Sequence, residues 1–313
     1  MKRITNLNDV SFPVNLKPVF IQNNEFSKLK GFKVVIGEPD KKEKIFSVVS
    51  DKYSLVTNTE AYELGKSIFR EYFGSSNSNN LSLFNVTFPT TKSFCNIDIV
   101  NRDYAFNIWG LETYFPFMRI TNSYNRTKSL RFEIGFIRKW CDNGVIFEKE
   151  TIHFNFTHFK RSVDKILTDI KKSDKQEKLI TLEKQFTDIM NKLKDTKIEK
   201  DQYVPLTAKI LSLNFDINSE DIKKRNIEIN RKNEFVKHCE SLRTDYSHLM
   251  SDNAYSAFNV ATDFINNRDF IKSYRYNDYQ IKAGKWLKEF ASRKNKETLE
   301  EYLKDYAYLM NNN

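Results

Sequence analysis

Between Arg119 and Lys139 the chain carries six cations, Arg119, Arg126, Lys128, Arg131, Arg138 and Lys139, against a single acid, Glu133. Tyr124, Phe132, Phe136 and, just beyond, Trp140 interleave with them. Guanidinium and ammonium groups neutralise phosphates, and flat aromatic faces stack on unpaired bases. Residues of both kinds in one stretch are the chemistry of a single-strand binder. Alternation divides the roles. Leu130, Phe132, Ile134 and Phe136 share one face of a predicted strand, while Arg131 and Glu133 share the other. Phe132 and Phe136 are therefore expected in the core. The six cations are candidate phosphate contacts, with Tyr124 and Trp140 as candidate stacking faces. The competing reading is an ordinary amphipathic sheet whose wet face happens to be basic.

Other chemistries have weaker support. Asp98, Asp103 and Glu112 fall on neighbouring predicted strands and could converge on a pair of metal ions, as in a nuclease. Strands also commonly carry such acids on their wet face. His153 and His158 lie near Cys141, and His238 adjoins Cys239, but none has the tight spacing of a metal site. The chain contains no GxSxG, no GxGxxG and no GxxxxGK[ST]. The expectation is a non-enzymatic protein with no cofactor and no metal. The lysine-rich runs 160–178 and 223–237 are mixed with acids and read as solvated helix faces.

The elements that must position these residues follow from periodicity. Phe32–Ile36 and Lys44–Val49 form a predicted hairpin around Gly37-Glu38-Pro39-Asp40, with short strands at Val19–Ile21 and Tyr53–Val56. Thr57 and Glu60 have capping-box spacing, and Ala61, Leu64, Ile68, Phe69 and Tyr72 make one helical face ending at Gly74. Strands are then expected at Leu83–Phe88, Phe94–Val100, Tyr104–Trp109 and Tyr114–Ile120. Their short connections require an antiparallel meander. Asn122-Ser123-Tyr124-Asn125 and Asp142-Asn143-Gly144 carry turn chemistry on either side of the central strand. From Thr157 the period becomes helical. Leu179, Leu182, Phe186, Ile189 and Leu193 form a short heptad seam, Pro205 opens a helix, and Ser219 caps a long one running to about Met250. Two or three further helices are expected, around Tyr255–Asn266, Asp278–Phe290 and Glu297–Met310. The expected class is α+β: an N-terminal antiparallel meander with one or two packed helices over 1–156, then a mostly helical half over 157–313. Whether that half is a separate domain or packs on the first as one unit stays open.

Composition supports a folded, basic protein. Its 313 residues include 26 Phe and 15 Tyr, enough aromatic mass for a sizeable core. The net charge is +10, with +5 in each of residues 1–150 and 151–313, so no basic tail dominates. Three scattered cysteines argue against a disulfide framework, and no stretch reaches 18 apolar residues. A cytoplasmic location with no membrane contact is expected.

Three segments together resemble a known family. They are Phe46–Asn58 before the first helix, Asn122-Ser123-Tyr124-Asn125 followed by Arg138, Cys141, Asn143 and Gly144, and Ala257–Phe264. In this order they are similar to the phage- and plasmid-borne domain of unknown function number 932. Arg126 departs from the pattern, because members usually carry glycine there. The resemblance implies a mobile-element origin but supplies no activity residue by residue. Separately, the element order is similar to that of phage single-strand annealing proteins, an analogy of fold alone. The expected function is thus single-stranded DNA binding, as an annealing or replication accessory factor. The alternatives are a module that binds a host or phage protein and a metal-dependent nuclease. A homo-oligomer is left open.

Overall fold

The computed structural model describes residues 6–22, 26–73, 81–110, 112–139, 144–146, 153–156, 175–267, 275–293 and 297–310. The fold is α+β, with antiparallel sheets first and helices after. A three-stranded sheet comprises β1 (Val14–Gln22), β2 (Phe26–Gly37) and β3 (Lys44–Ser50), in that spatial order. A larger sheet comprises β4 (Leu81–Thr87), β5 (Phe94–Asn101), β6 (Phe106–Asn107), β7 (Thr113–Ser123), β8 (Leu130–Arg138), β9 (Gly144–Ile146) and β10 (His153–Phe156). Its order is β10-β8-β7-β5-β4, with β6 beside β7 and β9 beside β8. The expected meander is there, and its strands are short-connected neighbours.

One face of the larger sheet is apolar because alternate residues are: Ile97 and Ile99 on β5, Met118 and Ile120 on β7, Phe132, Ile134 and Phe136 on β8. Helix α1 (Asn58–Phe73) lies on it through Ala61, Leu64, Ile68 and Phe69. Each large side chain buried there contributes about 1.5–3 kcal/mol. Thr57 and Glu60 close the expected capping box: the Thr57 amide donates to Glu60 Oε2 at 2.7 Å and the Glu60 amide to Thr57 Oγ1 at 3.2 Å. Gly65 sets the approach of helix to sheet, since a Cβ there would lie 2.3 Å from Ile120 Cδ1.

The same apolar cluster continues into the helical half. That half holds α2 (Lys175–Asp195), α3 (Tyr203–Leu211), α4 (Ile222–Met250), α5 (Ala254–Asn267), α6 (Tyr276–Ser292) and α7 (Leu299–Leu303). Along the expected seam on α2, Leu182, Phe186 and Leu193 are buried and Ile189 is half-buried. The Phe186 ring meets Phe136 at 4.8 Å and Tyr114 at 5.0 Å, so this seam packs on the sheet.

Several boundaries differ from expectation. β1 is nine residues long rather than a short piece at Val19–Ile21. The expected strand Tyr104–Trp109 contracts to Phe106–Asn107. Tyr53–Val56 is a connection whose Val56 carbonyl accepts from Asn122 Nδ2 at 2.9 Å. Asp221, not Ser219, caps α4, its Oδ1 accepting from the Lys223 and Lys224 amides at 2.9 and 3.2 Å. Pro205 is the third residue of α3 rather than its first. The expected helix from Thr157 lies outside the described residues, as do Cys141 and Asp142-Asn143.

Candidate nucleic-acid interface

The predicted patch does not assemble. Arg119 is buried and faces Asp98 across the β5–β7 ladder, its Nε and Nη2 donating to the two carboxylate oxygens at 2.6 and 2.5 Å. Both side chains are almost wholly enclosed, at 2% and 3% exposure. Arg138 is also buried. It grips Glu112 with two bonds of 2.6 Å, donates to Asn259 at 3.3 Å and lies over the Tyr255 ring. These arginines are held by acids that they neutralise, so the phosphate-contact role predicted for them is corrected to an internal one. A strand residue opposite an acid on the covered face has no other solution, because an unpaired buried charge is costly.

Tyr124 is corrected in the same way. Its ring is buried against Phe12 and Phe46, and its hydroxyl accepts the Asn58 amide at 2.9 Å, at the start of α1. Burial raises the phenol pKa, and no stacking face is presented. Arg131 is half-buried beside Glu133, at 3.8 Å. The face that carries Arg131 and Glu133 is therefore not a wet face: Asn96, Asp98, Arg119, Thr121 and Glu133 on it are all buried. Three predicted cations reach the surface or its margin. Arg126 is exposed, Lys128 is half-buried with its ammonium 5.0 Å from the Phe94 ring centre, and Lys139 is exposed. Arg126 and Lys128 precede β8 and Lys139 follows it, so the strand holds them roughly 30 Å apart. Trp140 lies outside the described residues.

The acids weighed as a metal site are separated by their partners. Asp98 is engaged by Arg119, Glu112 by Arg138 and the Tyr255 hydroxyl, and Asp103 is exposed. Among the described residues no group of three or more His, Cys, Asp or Glu could hold a metal ion. Cys95 is buried, which pushes its thiol up to about 12, and buried Cys239 is raised well above its ordinary value. Neither is an activated nucleophile. His238 is half-buried, with its ring 5.3 Å from that of Phe264. The side chains of His153 and His158 are outside the described set.

A different surface has the required composition. The strands β1, β2 and β3 carry Lys17, Lys28, Lys30, Lys33 and Lys44 and no Asp or Glu. Ten large hydrophobic residues are exposed among those described, and six of them are on this sheet: Phe20, Ile21, Phe26, Phe32, Ile45 and Val48. Its inner face, with Val14, Val35 and Val49, is packed on Tyr124 and Phe46. The outer face carries cross-strand rows such as Lys17–Val34–Val48 and Asn15–Ile36–Ile45. Arg126 joins this sheet at its β3 edge, Nη1 donating to the Val48 carbonyl at 3.4 Å. Its backbone has φ +63°, the left-handed region that glycine adopts freely. The sequence predicts here only a hairpin around Gly37-Glu38-Pro39-Asp40 and a short strand at Val19–Ile21. The signal it held was the run Phe26-Ser-Lys-Leu-Lys-Gly-Phe-Lys33, with three cations and no acid.

Residues 45–296 match the family model of a domain of unknown function, DUF932. The chain belongs to that family. No curated protein and no solved structure matches it. The structure gives the three segments that resemble the family a shared task. Asn58, from the first, accepts from Asn122 Nδ2 of the second at 2.9 Å and donates its amide to Tyr124. Arg138, from the second, bonds Asn259 of the third. The motif residues thus pin the small sheet, the large sheet, α1 and α5 together, and β1 and β2 lie before the matched DUF932 region. No helix of the described residues is long and apolar enough to cross a membrane.

Proposed function

We propose that this chain binds single-stranded nucleic acid, DNA foremost, on the outer face of its three-stranded sheet and the adjoining turn at Arg126. The reading is carried by Lys17, Lys28 and Lys30 beside Phe20, Phe26 and Phe32, which are open to solvent, on strands that hold no acid; Lys17 also meets Glu43 at 2.9 Å in the β2–β3 connection. Lysines track phosphates at any sequence, and exposed rings stack on any base, so binding is salt-steep and tolerant of sequence. With about 0.7 of a logarithmic unit per neutralised phosphate on a single strand, Lys17, Lys28, Lys30 and Arg126 set a salt slope of at most about three. A role as an annealing, replication or recombination accessory factor of phage or plasmid origin belongs to the same proposal. It is supported by this surface and by the resemblance described above. The test is fluorescence anisotropy of the nucleic-acid-free protein with labelled single-stranded and duplex oligonucleotides across a salt series. Tight, salt-dependent binding that favours single strands, weakened by Lys17→Glu with Lys28→Glu, is expected. Absence of binding at low salt rejects the reading.

A second reading, docking of another protein, is favoured by one feature. The first 13 residues of α4, Ile222–Glu234, include no buried residue, and Ile222, Ile227 and Ile229 are exposed. A stoichiometric protein partner lost on Ile222→Lys with Ile229→Lys, together with no oligonucleotide binding, would establish it.

A further inference from the structure

The small sheet is not uniform along its length. β3 pairs with β2 only from Gly37 to Phe32, opposite Lys44 to Ser50. Beyond that point β1 and β2 continue as a pair, Phe20 opposite Lys28, Ile21 opposite Ser27 and Gln22 opposite Phe26. The six residue steps from Phe32 to Phe26 carry this two-stranded ribbon roughly 20 Å past the edge of β3. Its root combines a register shift between Pro18 and Phe20 with Gly31 at φ +83°, a bulge and a positive-φ bend on facing strands. No described residue of the ribbon is buried. Cross-strand register puts Phe20, Lys28, Phe26 and Gln22 on one face. Phe26 is 73% exposed and Phe20 56%.

A two-stranded ribbon is marginal by itself in water, and two exposed phenylalanines add to the cost of leaving it unpartnered. Charge decides which partner suits it. Its described residues carry Lys28 and Lys30 and no acid, so it suits an anion. Lys28 stands opposite Phe20 and two residues from Phe26 on the same face, so a cation lies beside both rings. A lipid surface is disfavoured because the three residues between the two strands in sequence, Asn23-Asn24-Glu25, are polar or charged.

We propose that this ribbon is a wedge: Phe20 and Phe26 insert between neighbouring bases of the bound strand and unstack them, while Lys28 and Lys30 hold the flanking phosphates. The substrate class is then a single strand with separable bases, above all the single strand next to a duplex junction. This inference rests on the nucleic-acid reading and adds to it what the aromatic residues do.

The experiment uses the full chain and oligonucleotides carrying 2-aminopurine, either in the single-stranded arm beside a duplex or in a plain single strand. The fluorescence of this base rises when its neighbours unstack. Three proteins are compared: wild type, Phe20→Ala with Phe26→Ala, and Lys28→Gln with Lys30→Gln. The exposed positions leave the fold intact, which circular dichroism checks. Wild type is expected to bind and raise the fluorescence. The phenylalanine variant is expected to lose the rise and to bind at least about 30-fold more weakly with an unchanged salt slope. The lysine variant is expected to lose about 1.4 units of salt slope while the bound state keeps its fluorescence. Binding by wild type without a fluorescence rise, or a rise that survives in the phenylalanine variant, overturns the wedge and leaves the binding reading standing. No binding by wild type overturns that reading itself. Sedimentation of wild type with phosphatidylserine vesicles, abolished in the phenylalanine variant while oligonucleotide binding is unaffected, also overturns the wedge and assigns the ribbon to a lipid surface.

Discussion

Arg119→Ala separates the structural role of the basic stretch from the phosphate-binding role its sequence suggests. In the fold, Arg119 and Asp98 are joined by two short bonds at 2% and 3% exposure. Glu133 stands opposite Arg119 on the next strand and is buried too. Truncating the arginine leaves Asp98 charged, buried and unmatched, and removes the cation nearest Glu133. Breaking such a pair from one side costs about 3–5 kcal/mol. Against a total stability of about 5–15 kcal/mol this is a large fraction. At about 2–4 °C per kcal/mol, the melting temperature should fall by on the order of 10 °C. The double change Asp98→Leu with Arg119→Met removes both charges and fills the space, and is expected to recover most of the loss. Thermal melts followed by circular dichroism, with oligonucleotide anisotropy on the same samples, read both roles. A surface phosphate contact would instead lower affinity and leave the melt unchanged. If Arg119→Ala melts within about 2 °C of wild type, well inside the shift expected for a broken buried pair, the internal ion pair does not exist as described.

Arg126 has φ +63°, so Arg126→Gly should raise stability slightly, by about 1 kcal/mol or less, while weakening oligonucleotide binding; a combined melt and anisotropy series checks the opposite signs. Glu112→Gln removes the charge gripped by Arg138 and bonded by the Tyr255 hydroxyl at 3.0 Å; leaving Arg138 buried without its counter-charge should cost about 3–5 kcal/mol in denaturant unfolding. Burial raises the Glu183 carboxyl above 4.5, partly offset by a bond from Tyr104. The folded state therefore holds this proton more tightly than the unfolded chain, so stability falls as pH rises from 4.5 through the folded value; Glu183→Gln should flatten that part of the stability-pH curve.

Much of the fold was legible because it rests on local periodicity. Alternation placed Phe132 and Phe136 in the core, and the spacing of Ala61, Leu64, Ile68 and Phe69 placed the buried face of α1. Thr57 and Glu60 marked the start of α1 because a capping box is completed within three residues. The candidate site was not legible in the same way. Period two shows that Arg131 and Glu133 share a face, but not whether that face is wet. Asn96, Asp98 and Thr121 on that face are buried, and Thr121 bonds Asn96 across the strands. Arg138 likewise reads as a free cation until Glu112, 26 residues earlier, is brought against it.

The sequence by itself determined the class, the family and the overall positive charge, because these depend on composition, short-range period and motif order. Tertiary structure alone decided which cations are spent on internal acids and which face solvent. Strand pairing joined Arg119 to Asp98, and docking of α5 set Asn259 beside Arg138. The same pairing let β1 and β2 outrun β3, which left Phe20, Phe26, Lys28 and Lys30 in water. A charge in the sequence is only a quantity. Its solvation is set by which strand lies next to it, and that is fixed by contacts between residues far apart in the chain.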